Sequence, residues 1–154
     1  MADTDINAAS LTVTITEALA VDHANGSTND LDFAQTYTHT YASIANVTKR
    51  IIKLANTNLT EIATFGSDTQ NGAFVRADIR YIRVTNLDAS DALQVGMDDE
   101  DSDAAYTSVA ADSSIIVTGT TVEGGNGGTT LDNATALKVK GAANQQLELF
   151  IASV

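Results

Sequence analysis

The sequence contains no cysteine, no proline and no tryptophan among its 154 residues, and only two histidines. Without cysteine, a disulfide framework and a Cys-based zinc site are both excluded, so the fold has to hold by packing and hydrogen bonding. Without proline, the chain lacks a common device for blunting exposed sheet edges, which leaves charged side chains or other copies to cover them. Bases are scarce as well: 8 stand against 20 acids, a formal net charge of −12. That balance disfavours nucleic acid and anionic membrane as partners, since both are held through cationic contacts. No apolar run approaches the roughly 18–20 residues that span a bilayer. The opening Met1-Ala-Asp-Thr-Asp-Ile-Asn-Ala8 carries two acids and no base, unlike a secretory leader. The expectation is a soluble protein made in a cytoplasm.

What is present is alternation. Ser10-Leu-Thr-Val-Thr-Ile-Thr16 sets Leu11, Val13 and Ile15 on one face and Thr12, Thr14 and Thr16 on the other. Gln35-Thr-Tyr-Thr-His-Thr-Tyr41 repeats the device with Tyr37, His39 and Tyr41 opposite Thr36, Thr38 and Thr40. Period-two alternation of β-branched and aromatic residues signals half-buried antiparallel strands. Strands are predicted near 10–17, 35–43, 46–54, 59–65, 74–86, 91–97, 113–118, 136–141 and 145–153. Turn residues separate them at Asn25-Gly26, Asn56-Thr-Asn58, Gly66-Ser-Asp68, Asn71-Gly72, Asn86-Leu-Asp88 and Gly124-Gly-Asn-Gly-Gly128. Helix competes at 44–59 and near 104–111, although Val47, Thr48, Ile51 and Ile52 lean towards strand.

Many short strands with frequent turns predict an all-β fold: one antiparallel β-sandwich of jelly-roll type over 1–154, with an N-terminal segment placed to pack on neighbouring subunits. The predicted core comprises Leu11, Val13, Ile15, Ile51, Leu54, Ile62, Ile79, Ile82, Val84, Leu93, Val95, Ile115, Val117, Leu137, Leu147 and Phe150.

Candidate chemistry is thin. Asp99, Asp101 and Asp103 in the acidic run Asp98–Asp103 match the first ligand spacings of a helix-loop-helix calcium loop, but Ala104 stands at the sharp-turn glycine and Ala110 at the bidentate glutamate. A solvated hairpin tip is the plainer reading. His39 lies in a strand and His23 in a polar loop, with no nucleophile elbow to serve as triad partner. The glycines of 124–128 lack the helix and lysine of a phosphate loop. Asn-x-Ser/Thr triplets at Asn25, Asn46, Asn58 and Asn133 are expected by chance in a threonine-rich chain. Tyr37, His39 and Tyr41 form either a sugar-binding platform or ordinary cross-strand packing. No catalytic residue, cofactor or metal site is predicted.

The C-terminal half is more particular. Arg80-Tyr-Ile-Arg-Val-Thr-Asn-Leu-Asp88 closes a strand begun at Phe74, Asp91-Ala-Leu-Gln-Val-Gly-Met97 returns as its hairpin partner, and Ser113–Val117 and Gln146–Val154 follow. This order resembles small β-sandwich structural proteins in the virions of tailed bacteriophages, over roughly residues 74–154. The resemblance implies a non-enzymatic virion protein, foremost a capsid decoration or cement protein whose partner is the major capsid protein or another virion protein. A neck or tail component is the nearest alternative, and a carbohydrate-binding or adhesin module the alternative from another class. A homo-oligomer, dimer or trimer, is expected.

Charge placement adds a surface. Six of the eight bases fall between Lys49 and Arg83, whereas ten acids and no base lie between Val84 and Leu137. A negative protein docking on an acidic assembly needs a local cationic guide. Lys49, Lys53, Arg76, Arg80 and Arg83 are therefore the candidate contact residues, with Asp98–Asp103 facing solvent. Strand parity puts Arg80 and Arg83 on opposite faces, and the competing role for these bases is pairing with Glu61 and Asp78.

Overall fold

A computed structural model describes residues 9–19, 33–99, 105–118, 123–124, 128–129 and 134–154. The chain divides into two compact units, 1–44 and 45–154.

The first unit holds one hairpin, β1 (Ala9–Leu19) against β2 (Phe33–Ile44). The two threonine-alternating segments find each other. Thr12, Thr14 and Thr16 stand opposite Thr40, Thr38 and Thr36, with hydroxyl pairs at 3.1, 3.4 and 3.4 Å. Leu11, Val13 and Ile15 stand opposite Tyr41, His39 and Tyr37. Ile15 is 44% exposed, and the core role expected for it and its two neighbours does not hold: they belong to this hairpin, outside the core of the second unit.

The second unit is an antiparallel sandwich. Its strands are β3 (Asn46–Lys53), β4 (Thr60–Gly66), β5 (Phe74–Val75), β6 (Ile79–Asn86), β7 (Leu93–Asp99), β8 (Ala105–Val109), β9 (Ser114–Thr118), β10 (Glu123–Gly124), β11 (Gly128–Thr129), β12 (Ala134–Lys140) and β13 (Gln146–Ser153). One sheet runs β5-β4-β12-β7-β8 and the other β3-β13-β6-β9; β10 and β11 pair separately. Among the described residues, only the two-residue β5 is parallel to its neighbour, β4. Alternation explains the layers: on β13, Leu147, Leu149 and Ile151 point into the core while Glu148 and Phe150 do not. Ile82, Val84, Leu93, Leu137 and Val139 complete the centre, all at most 3% exposed. Each such side chain contributes about 1.5–3 kcal/mol by leaving water.

Further expectations change. Leu93–Asp99 is not the hairpin partner of the strand ending at Asn86, because β7 pairs with β12 and β8 in one sheet while β6 pairs with β13 and β9 in the other. Phe150, expected in the core, shares the outward row of Lys49 and Arg83. Residues 74–86 are not one strand, because a 3-10 turn at Arg76–Asp78 separates β5 from β6. Ile51 is 64% exposed, since it shares the outward parity of Lys49 on β3. Residues 105–109, inside the alanine-rich stretch with helical potential, form β8 beside β7. Among the described residues, no helix is long and apolar enough to cross a membrane.

Among the described residues, three register shifts shape the sandwich, one of them at Thr135, which is extra on β12 against β7. Leu137 and Lys138 pair with Ala63 and Glu61, so Ile62 is an extra residue on β4. Ala152 and Ser153 pair with Tyr81 and Ile79, so Arg80 is extra on β6. A bulge leaves its additional residue outside the ladder and turns the strand.

Candidate functional site

The outer face of the β3-β13-β6-β9 sheet carries the charges that the sequence singled out. Register places Lys49, Phe150, Arg83 and Ile116 in one row, and Ile51, Glu148, Thr85 and Ser114 in the next. Glu148 stands between the two cations: Lys49 Nζ is 3.1 Å from its Oε2, and Arg83 Nη2 donates to its Oε1 at 2.5 Å. The Glu148 side chain is only 14% exposed. The hydrogen bond from Lys49 is the largest influence holding its carboxyl below the usual range, with Arg83 adding to it and burial opposing. The Arg83 guanidinium also lies 5.6 Å from the centre of the Phe150 ring, which meets Tyr81 edge-on at 5.8 Å. Cation–π and edge-to-face contacts of this kind lock a side chain's orientation.

The sequence pointed at Glu61 and Asp78 as partners of these bases. The partner of Lys49 and Arg83 is Glu148, a lone acid at an outward position of an apolar strand. That was its one sequence signal. Lys53 sits exposed at the end of β3, opposite Gln146. Arg80 is the extra residue of the β6 bulge, and its guanidinium donates to the Ala77 carbonyl at 2.7 Å, bracing the 3-10 turn. Arg76 lies in that turn. The structure thus joins Lys49 to Arg83, keeps Lys53 on the same strand as Lys49, and sets Arg76 and Arg80 at the start of β6.

Strand β3 is an edge. Among the described residues it pairs with β13 alone, over eight consecutive positions with no register shift. Val47 and Ile51 are 55% and 64% exposed beside Lys49 and Lys53. Edge strands present unpaired backbone groups, and lysines are a common guard on them.

The opposite sheet carries a second charged group. Lys138 on β12 bonds Asp98 on β7, and the Tyr106 hydroxyl donates to the same carboxylate at 3.3 Å. The Asp98 hydrogen bond raises Lys138; burial first, then the Asp98 charge, raises the Tyr106 phenol. Asp98 therefore does not simply face solvent, as had been expected for the whole acidic run. Residues 100–103 lie outside the described residues, as do His23 and Asn25. Among the described residues, no three His, Asp or Glu side chains are grouped to hold a metal.

Sequence reasoning missed a buried polar knot at one end of the sandwich. Asn86 Nδ2 donates to the carbonyls of Asp91, Ala110 and Val109 at 2.8, 3.1 and 3.3 Å. Its Oδ1 accepts from Asp88 N–H at 3.1 Å and Gln145 Nε2 at 3.0 Å. Asp88 in turn accepts the N–H groups of Ser90 and Asp91, which lowers its carboxyl. The Asn-Leu-Asp segment is thus a loop-tying device with ordinary structural work. Between the sheets, Ile82, Val84, Val95, Met97, Ile115 and Leu137 line an apolar cavity of about 160 Å³. In the hairpin, His39 meets Tyr41 at 4.4 Å and the Tyr37 side chain is half exposed.

No protein-family model, curated protein or solved structure matches this chain.

Proposed function

We propose that this chain is a non-enzymatic structural protein of a tailed-phage virion, of the capsid decoration or cement kind. The observation that carries the reading is β3: a regular edge, unpaired on its outer side among the described residues, with exposed Val47 and Ile51 alternating with Lys49 and Lys53, in a chain of net charge −12. Such a strip suits adhesion to another protein. The likeness of residues 74–154 to virion β-sandwich proteins supports the same reading. The mechanism is mechanical. The protein binds the assembled lattice of the major capsid protein and not its dispersed subunits, and so stabilises the shell by mass action. Lys53 leads the approach to an acidic shell, because Lys49 is paired with Glu148 and Arg80 is occupied with its own turn.

Quantitative mass spectrometry of purified particles tests this. A cement protein occurs in numbers that match the capsid lattice, and a neck or tail part in a handful. Absence from particles overturns both. Charge reversal at Lys53 should weaken shell binding and its salt dependence together.

The half-exposed Tyr37 favours one further reading, a sugar-binding module. Glycan-array binding that disappears in Tyr37→Ala and Tyr41→Ala variants would establish it in place of the virion role.

A further inference from the structure

We infer that the β1–β2 hairpin of one copy docks along the free β3 edge of a second copy, so that copies are joined by exchanged arms. The inference does not depend on the virion reading.

Two observations ask for a partner. A two-stranded hairpin alone is marginally stable in water and needs a further strand or a packed face. The described residues give β1 and β2 no third strand, and leave Ile15 and Tyr37 of their apolar row 44% and 50% exposed. On the other side, β3 offers a straight eight-residue edge with exposed Val47 and Ile51 and no proline or bulge to deny it.

Charge selects the occupant. The described hairpin strands carry one acid, Glu17, and no base, whereas the exposed row of β3 carries Lys53 and Lys49, the latter shared with Glu148. Pairing β3 with a second β3 would set cations beside cations, and like charges across a ladder are destabilising. A hairpin that has Glu17 and no base avoids that repulsion. Connectivity narrows the source. Only Ala45 lies between β2 and β3, and a hairpin connection needs at least two residues. Strand β2 is accordingly not paired with the β3 that follows it. The apolar row and threonine row supply side chains of the β-branched kind that fit a pleated neighbour. A reciprocal exchange closes as a two-fold dimer, and a cyclic one as a ring.

The absence of cysteine makes the test direct. Full-length Ile51→Cys and Thr14→Cys chains are purified separately, mixed, and treated with a short bis-maleimide. Thr14 faces Thr38 at 3.4 Å, so one position reports on either hairpin edge. The expected result is a mixed cross-link formed in excess over either variant alone. Adding Lys53→Glu to the Ile51→Cys chain should cut the mixed product about threefold to tenfold, while Lys53→Arg leaves it unchanged. Dominant Ile51→Cys homodimers would mean that β3 pairs with itself and overturn the inference. So would a strictly monomeric wild-type chain by light scattering with no mixed product, in which case the lysines guard the edge. Loss of the chain from virions, with the mixed cross-link intact, would overturn only the virion reading.

Discussion

The Arg50 guanidinium donates from Nη2 to the backbone carbonyl of Ile62, joining the edge strand of one sheet to a bulge in the other. Ile62 is the residue that β4 carries in excess of its partner β12, so its carbonyl stands outside the regular ladder. A bulge would otherwise leave this polar group to water at the rim of the core. Arg50 supplies the missing donor from β3.

Arg50→Ala should therefore lower stability by about 1–2 kcal/mol, the usual cost of losing a charged hydrogen bond and leaving its acceptor partly buried. The check is the urea midpoint of the variant. An unchanged midpoint would mean that water serves Ile62 equally well.

Strand periodicity is a local property, and the sandwich was legible for that reason. Leu147, Ile82 and Val84 advertise their side of the pleat through neighbours two residues away. Bulges are not local in this sense. Nothing about Ile62 or Arg80 as residue types marks them as extra; each becomes extra only against its partner strand. For the same reason Arg83 was legible as a candidate contact, but its link to Glu148, 65 positions away, was not. The bulge at Arg80 interrupts the alternation just before Tyr81, which residue parity alone does not reveal. Strand β8 was obscured by alanines whose helical propensity lost to pairing with β7.

Asn86→Ala should be the most damaging single polar truncation here, at about 3 kcal/mol. Asn86 is fully buried and serves three carbonyls, one backbone N–H and Gln145. Truncation orphans several buried partners at once, each costing about 1–3 kcal/mol before relaxation. Denaturant unfolding reads the loss. A variant within about 0.5 kcal/mol of wild type would show that the loops hold without the knot.

Gly141→Ala should destabilise by about 1–3 kcal/mol through overpacking. A methyl group there would overlap Gln145 Oε1 and stand 2.9 Å from its Cδ and 3.0 Å from Leu54 Cδ1. Gln145 is not free to yield, because Oε1 accepts from Ala142 N–H at 2.7 Å and Nε2 donates to Asn86 and Asp91. Combining Gly141→Ala with Gln145→Ala should cost less than the sum of the two, and strict additivity would refute the steric account.

Glu148 makes stability depend on acid in a direction that can be worked out. Its carboxyl is held below the ordinary value, chiefly by Lys49 and then Arg83, so the folded chain binds its proton less readily than the unfolded chain. A carboxylate depressed in this way contributes its full stabilisation above the unfolded value of about 4.3, and loses it as pH falls through the lower folded value. Glu148→Gln keeps the shape and removes the charge. At pH 7 it should cost about 1 kcal/mol, a modest figure because Lys49 is largely exposed. The gap between wild type and variant should shrink steadily below about pH 4, as the wild-type carboxyl protonates and comes to resemble the amide. Chemical denaturation across an acid series checks it. A gap that stays constant with pH would place the role of Glu148 in packing against its strand neighbours rather than in its pairing with Lys49 and Arg83.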